Sequence, residues 1–386
     1  MMMTAQRRTF LYAAFLGAYL FTAPFYRTPA VADAEPAEKT EAAKPAGDAA
    51  EKKEWGYLPF AIPFYLPETS VGIGWAFLVF HNPDLSDPSL KPDEYSLYGA
   101  VTIKNQQTVG VSADRYFDRN KYRLSTRLDF SRFPNVFWGL GPDTHGDDDE
   151  DFTDIMTNFQ GSFAVRLAKN LYAGPAVNLL YDDMMKTEKG GLLDSGKIPG
   201  GDGTHASGMG AVVTWDSRDS VFYPYRGVYL DVKALAHLDE AGSEYDFRKL
   251  EADARAFLRI YGEMVLALQS VAKLSWGTVP FQSMPRLGGD QIMRGYFDGR
   301  FRDRDLVAAQ AEIRYPIFWR FAGTAFMSAG QVAPSLHEMS AHNVKYAGGA
   351  GLRFIAEKSE HIALRFDAGV DGDGNVNFYV IIKEAF

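Results

Sequence analysis

Five consecutive acids, Asp147-Asp148-Asp149-Glu150-Asp151, form the densest run of chemistry-bearing side chains in the chain. Carboxylates packed this closely can hold the divalent cations that bridge lipopolysaccharide, but the same run describes a solvated acidic loop, and that plainer reading is adopted. Asp371-Gly372-Asp373-Gly374-Asn375 has part of a calcium loop; no acid stands at its closing position, and Asp-Gly pairs commonly make hairpin turns. The seven histidines show no close metal-ligand spacing, and with zero cysteines there is neither a disulfide nor a thiolate metal site. No Gly-x-Ser-x-Gly elbow and no phosphate-cradling Gly-Lys-Ser/Thr occurs. The sequence therefore offers no catalytic residue, no metal site and no cofactor. A serine–histidine pair assembled across strands, as in an outer-membrane phospholipase, is the least favoured reading. The net charge of −9 argues against a nucleic-acid partner.

The elements behind these side chains are strands. In Val71–Val79 the large residues Val71, Ile73, Trp75, Phe77 and Val79 share one face, and Gly72, Gly74 and Ala76 the other. In Tyr122–Phe130 an apolar face opposes Arg123, Ser125, Arg127 and Asp129. Oil on one side and charge on the other, with period two, is the pattern of a wall between lipid and a polar lumen. The last strand, Val376–Phe386, points Val376, Phe378, Val380 and Ile382 one way and ends on an aromatic. Weaker alternation near 95–104, 107–116, 152–167, 171–180, 205–215, 227–236, 246–260, 264–274, 306–314, 321–329, 346–354 and 361–369 brings the strand candidates to about fifteen. Bacterial barrels have even strand numbers, so one is missing. Trp55–Leu66 is the suspect, although Pro59, Pro63 and Pro67 weaken it. Long connections at 134–151, 181–204, 275–305 and 330–345 alternate with short ones, a rhythm that fails before residue 116.

The ends are read from composition. Arg7 and Arg8 precede an apolar stretch from Phe10 to Phe21, followed by Ala30, Ala32 and Ala34, the layout of a secretory signal over residues 1–34. Residues 35–54, rich in Ala, Glu, Lys and Pro, read as a disordered linker, and 55–386 as one barrel domain. No segment after the signal has the apolar run a transmembrane helix needs.

Gly288-Gly289-Asp290-Gln291-Ile292-Met293-Arg294-Gly295-Tyr296 resembles the long-loop signature of the BamA/TamA barrel superfamily, also called the bacterial surface antigen barrel. Four further stretches carry the likeness: Trp215–Asp219 with Pro224 and Gly227, Glu312–Pro316, Gly349–Phe354 and Leu364–Asp367. The resemblance is strong over about 205–386 and weaker over 67–204. It implies an outer-membrane barrel of about sixteen strands in a Gram-negative bacterium, with Met293, Arg294, Gly295 and Tyr296 at the tip of a loop folded into the lumen. The family places an Asp for the arginine on a strand after the loop, but Ser328 stands there in this chain. A buried guanidinium needs a carboxylate, and Glu312 is the substitute. The resemblance also makes Phe378, Val380, Ile382 and Phe386 a C-terminal signal read by the barrel assembly machinery.

Family members that insert or secrete proteins carry periplasmic polypeptide-transport-associated domains, and only the linker precedes this barrel. The expected partners are outer-membrane lipids and lipopolysaccharide, the assembly machinery and an unidentified periplasmic protein. The expected function is insertion or translocation, with a passive channel or structural barrel as the alternative.

Overall fold

The computed structural model describes residues 54–87, 90–221, 223–357, 362–382 and 384–386. The expected export signal (1–34), and the expected linker (35–54) apart from Glu54, lie outside the described residues.

The strands are β1 (Trp55–Leu66), β2 (Ser70–His81), β3 (Asp93–Thr102), β4 (Gln107–Phe117), β5 (Tyr122–Phe137), β6 (Glu150–Ala168), β7 (Leu171–Lys186), β8 (Gly203–Asp216), β9 (Gly227–His237), β10 (Phe247–Tyr261), β11 (Met264–Gly277), β12 (Arg286–Leu287), β13 (Phe301–Arg302), β14 (Asp305–Phe318), β15 (Phe321–Ala333), β16 (Lys345–Glu357), β17 (Ile362–Asp371) and β18 (Val376–Ile382). Sixteen of them close an antiparallel barrel in sequence order, with β18 returning to β1. The pair β12 and β13 is a short ribbon inside the loop that joins β11 to β14.

Lipid-facing alternation builds this wall. On β2, Val71, Ile73, Trp75 and Phe77 are exposed, and the small residues between them face the lumen. Trp55, Trp215, Tyr261, Phe318 and Trp319 crowd the barrel end that holds the short turns, as an aromatic girdle at a membrane interface does. The sixteenth strand is the proline-containing Trp55–Leu66. Alternating antiparallel strands also resolve the broken loop rhythm. The short 103–106 link lies at the long-loop end, and the long 82–92 link lies at the short-turn end.

Two features set β1 apart. Asn82 N–H donates to the Glu54 carbonyl at 2.7 Å, so even-numbered residues of β1 turn their backbone groups toward β2. Odd-numbered ones therefore face β18, and among them Pro59 and Pro63 offer it no donor. The prolines thus leave the β1–β2 ladder intact over its whole length and interrupt only the other edge. Tyr65 to Val380 is the one register pair that joins β1 to β18 among the described residues, where β5 and β6 share sixteen.

The C-terminal strand is shorter than the sequence suggests. It ends at Ile382, and Ala385 and Phe386 are buried inside the barrel. Phe386 packs with Phe257, Val265 and Ala267 instead of joining the lipid belt. Continued pairing would set residue 384 against Ala61 and residue 386 against Pro59, so the tail turns away where β1 lacks donors.

Candidate functional site: the locked loop and the seam

The loop between β11 and β14 enters the lumen because that part of the wall leaves room for it. Ala308, Gly330, Ala347, Gly349, Gly351 and Gly369 occupy lumen-facing positions on β14 to β17. Against them pack Leu287, Met293, Tyr296 and Phe301 of the loop, sharing a core with Val271, Leu306 and Val332. The closest approach is at Gly369, where an added Cβ would lie 2.6 Å from the Arg294 carbonyl carbon. Gly295 needs its own lack of side chain, since its φ is +130° and a Cβ would meet Val370 at 2.8 Å.

At the tip, the Arg294 guanidinium is fully buried. It donates to Glu312 at 2.6 Å and to Asp367 at 2.6 Å, and it lies 3.6 Å over the Phe326 ring. Glu312 also accepts from Arg314 at 2.7 Å. Asp367 also accepts from Arg353, which in turn holds Glu384 at 2.8 Å. Arg365 reaches Asp290 in the loop at 2.8 Å. Four arginines therefore meet four side-chain carboxylates, so each buried charge has an opposite partner, the condition under which buried ions are tolerated. Tyr379 of β18 accepts from the Gly295 N–H at 2.9 Å and donates to the Tyr296 carbonyl at 3.0 Å. The Tyr296 hydroxyl accepts from the Gly372 N–H at 3.0 Å. The Arg314 guanidinium donates to the main-chain oxygen of Phe386 at 2.9 Å, joining the inturned tail to the same network.

Of the residues singled out from sequence, Met293, Arg294, Gly295, Tyr296 and Glu312 converge here. Phe378 points outward, Val380 lies at the single seam pair, Ile382 ends β18, and Phe386 is inside. Sequence reasoning missed Asp367, Glu384, Arg314, Arg353 and Arg365. A signal was present in opposite charges two apart, hence on one face of a strand, in Glu312/Arg314 and Arg365/Asp367. Ser328 makes a bond to the Ala347 carbonyl, not an ion pair. In the acidic run, Asp147, Asp148 and Asp149 are exposed, and Glu150 is buried, accepting the Leu192 and Leu193 N–H groups at 2.6 and 2.9 Å. Asp371 accepts from the Asp373 and Asn375 N–H groups, the geometry of a turn.

The family model described as the Omp85 superfamily domain matches residues 94–386. The chain belongs to the Omp85 superfamily. Its structure is similar to BamA from Haemophilus ducreyi lacking POTRA domains 1–3, with a TM-score of 0.59 at 12% identity, covering 86% of this chain and 70% of that one. It is also similar to CdiB from Escherichia coli, with a TM-score of 0.58 at 11% identity over 85% of this chain and 62% of that one. CdiB from Acinetobacter baumannii gives 0.53 at 10% identity over 86% and 60%. This Omp85 chain thus spans less than two thirds of the two CdiB chains, and at these identities the likeness is one of fold. No curated protein matches it.

Proposed function

We propose that this Omp85 barrel passes polypeptide into or across the outer membrane of a Gram-negative bacterium, with a side opening between β1 and β18 and a loop locked in the lumen. One observation carries this: among the described residues the seam has a single register pair, and β1 has prolines at two of its seam-facing positions. Backbone groups left unpaired in lipid cost several kcal/mol each, so fifteen strong ladders and one weak one localise any lateral opening to that place. Exposed edge groups there can also pair with an incoming chain. The lipid surroundings would include lipopolysaccharide, the assembly machinery would place the barrel, and a separate periplasmic partner would deliver the client. Phe378, Val380 and Ile382, with Phe386, would be recognised by that machinery before the tail folds inward.

Because the chain has no cysteine, Tyr65→Cys with Val380→Cys gives a clean disulfide lock. Proteoliposomes of the reduced double variant are expected to speed the folding of an added urea-denatured β-barrel protein, and the oxidised form to lose that effect. Equal rates in the two forms would remove the seam from the mechanism.

A passive channel is the second reading. It is favoured by the β3–β10 side of the lumen, where the Arg127 side chain is 56% exposed. Steady ion conductance through the unlocked and the locked barrel alike would support it.

A further inference from the structure

The two edges of the seam are not equivalent. Across the hairpin from β17 to β18 the Asp371 N–H donates to the Asn375 carbonyl at 3.0 Å, so odd-numbered residues of β18 turn their backbone groups toward β17. Val376, Phe378, Val380 and Ile382 therefore face β1. None of them is proline, so this edge keeps a donor and an acceptor at every facing residue, and among the described residues only Val380 stands in a register pair with β1. Extending that register sets Phe378 opposite Pro67, beyond the end of β1. The facing edge of β1 reads Tyr57, Pro59, Ala61, Pro63, Tyr65, with a donor missing at every second position. Proline on an edge strand stops another strand from adding there. Anchorage differs in the same sense. Asn377 Nδ2 donates to the Gly295 carbonyl at 2.6 Å, and the Tyr379 hydroxyl holds Gly295 and Tyr296, so β18 is tied to the locked loop. On the lumen side β1 has Leu58, Phe60, Ile62 and Phe64, opposite Leu78, Ala76, Gly74 and Gly72 of β2, and these side chains have no polar group with which to hold the loop. Parting the seam thus moves β1 with its hairpin partner and leaves β18 in place.

We propose that an incoming polypeptide adds as an extended strand to the edge of β18 and not to that of β1. This rests on the lateral opening proposed above and names the edge that receives the client. Main-chain hydrogen bonds to Val376, Phe378, Val380 and Ile382 hold the new strand, the mode by which peptides extend an open sheet. The client it fits alternates apolar and polar residues. Its apolar side chains continue the lipid-facing row of Phe378 and Val380, and its polar ones continue the lumen-facing row of Asn377 and Tyr379. On β1 the same strand would leave two of its carbonyls without donors in lipid, where each such group is costly.

Single cysteines report each edge separately in this cysteine-free chain. Phe378→Cys and Ala61→Cys both replace exposed, seam-facing residues, one on each edge. Each variant is reconstituted in proteoliposomes and given a urea-denatured β-barrel protein with one cysteine at successive positions of its terminal strand, under mild oxidation. Client adducts are expected to be about tenfold more abundant at Phe378→Cys, the factor that two missing hydrogen bonds on β1 supply. Pro59→Val with Pro63→Val restores the donors of β1, and adducts at Ala61→Cys are expected to rise in that background. Adducts shared equally between the edges, or formed chiefly at Ala61→Cys with the natural prolines in place, overturn the proposal and leave lateral opening standing. So does an Ala61→Cys yield unmoved by the proline replacements, since the prolines are then not what closes β1. No adduct at either edge overturns it as well, and reaches the lateral opening itself only if client folding is also indifferent to the Tyr65→Cys, Val380→Cys lock.

Discussion

Arg294 and Arg127 each hold a carboxylate at 2.6 Å inside the same barrel, yet one pair is sealed from water and the other keeps 56% of its arginine side chain exposed. The sealed one belongs to the side formed by β11 and β14 to β18, where the loop fills the lumen with Leu287, Met293 and Tyr296. The wet one belongs to the middle of β5, away from Phe137 at the end of that strand, where Phe281 of the loop packs. Distance alone would rank these ion pairs equal. Hydration separates them, because a charge stranded in a dry site cannot recover its solvation, whereas water takes the place of a lost partner at a wet one. The loop is thus held by the side of the lumen it has itself made dry.

The sharpest way to break this contrast is Arg294→Ala. It leaves Glu312 and Asp367 short of a cation, for an expected loss of about 3–5 kcal/mol in urea unfolding followed by tryptophan fluorescence. Because the loop tip is then held mainly by apolar packing and Tyr379, planar-bilayer recordings are expected to show large, flickering conductance steps. Unchanged conductance would mean that the guanidinium is not what keeps the loop in place.

A second test uses pH at the outer rim of the dry side. Glu68, in the turn between β1 and β2, has its carboxyl pushed up from 4.5 to about 8, first by burial and then by Asp298. Between those two values the unfolded chain has released the proton and the folded one keeps it. Stability therefore falls as pH rises across that window, by an expected few kcal/mol, and levels off above about 8. Glu68→Gln is expected to remove this component, so wild-type and variant unfolding midpoints converge at low pH and separate toward pH 8. Parallel curves would exclude Glu68 as the source.

Tyr379→Phe comes next in size. It keeps the ring on β18 but strands the buried Gly295 N–H, while the Tyr296 carbonyl loses one donor and keeps the Gly289 N–H, at an expected cost of about 1–3 kcal/mol. The loop is expected to open at a lower urea concentration than the barrel unfolds, which separates loop release from global unfolding in a way Arg294→Ala does not. A single, coincident transition would show that the loop and the wall come apart together.

How far the sequence revealed all this depends on which face a residue occupies. Outward positions such as Val71, Ile73, Trp75 and Phe77 repeat with a period of two and need only lipid, so the barrel was legible from them. β1 was doubtful because Pro59 and Pro63 read as breakers, and they are admissible only once it is known that their missing donors face a seam. The inward turn of Phe386 was hidden, since an aromatic at a strand end suits lipid equally well until Phe257 and Val265 are placed beside it. The loop tip was legible from Arg294-Gly295-Tyr296. Of its partners Glu312 was legible and Asp367 was not, because Asp367 is 73 residues away in the chain and reaches the arginine only through barrel closure. Glycines at inward positions, such as Gly351 opposite Asp367, were the overlooked trace of something large entering the lumen.

The smallest effect belongs to the wet side and completes the contrast. Arg127→Ala deletes an ion pair of the same length as that of Arg294, and the Asp129 it leaves behind still accepts from the Tyr98 hydroxyl and remains within reach of lumen water. The expected loss is about 0.2–1 kcal/mol, shrinking further as salt is raised, because exposed pairs are screened. Arg294→Ala should be nearly insensitive to the same salt. If both variants lose similar stability, or both respond alike to salt, then water reaches the Arg294 cluster as well. The loop would then owe its position to Leu287, Met293 and Phe301 packing on the wall and not to the charges at its tip.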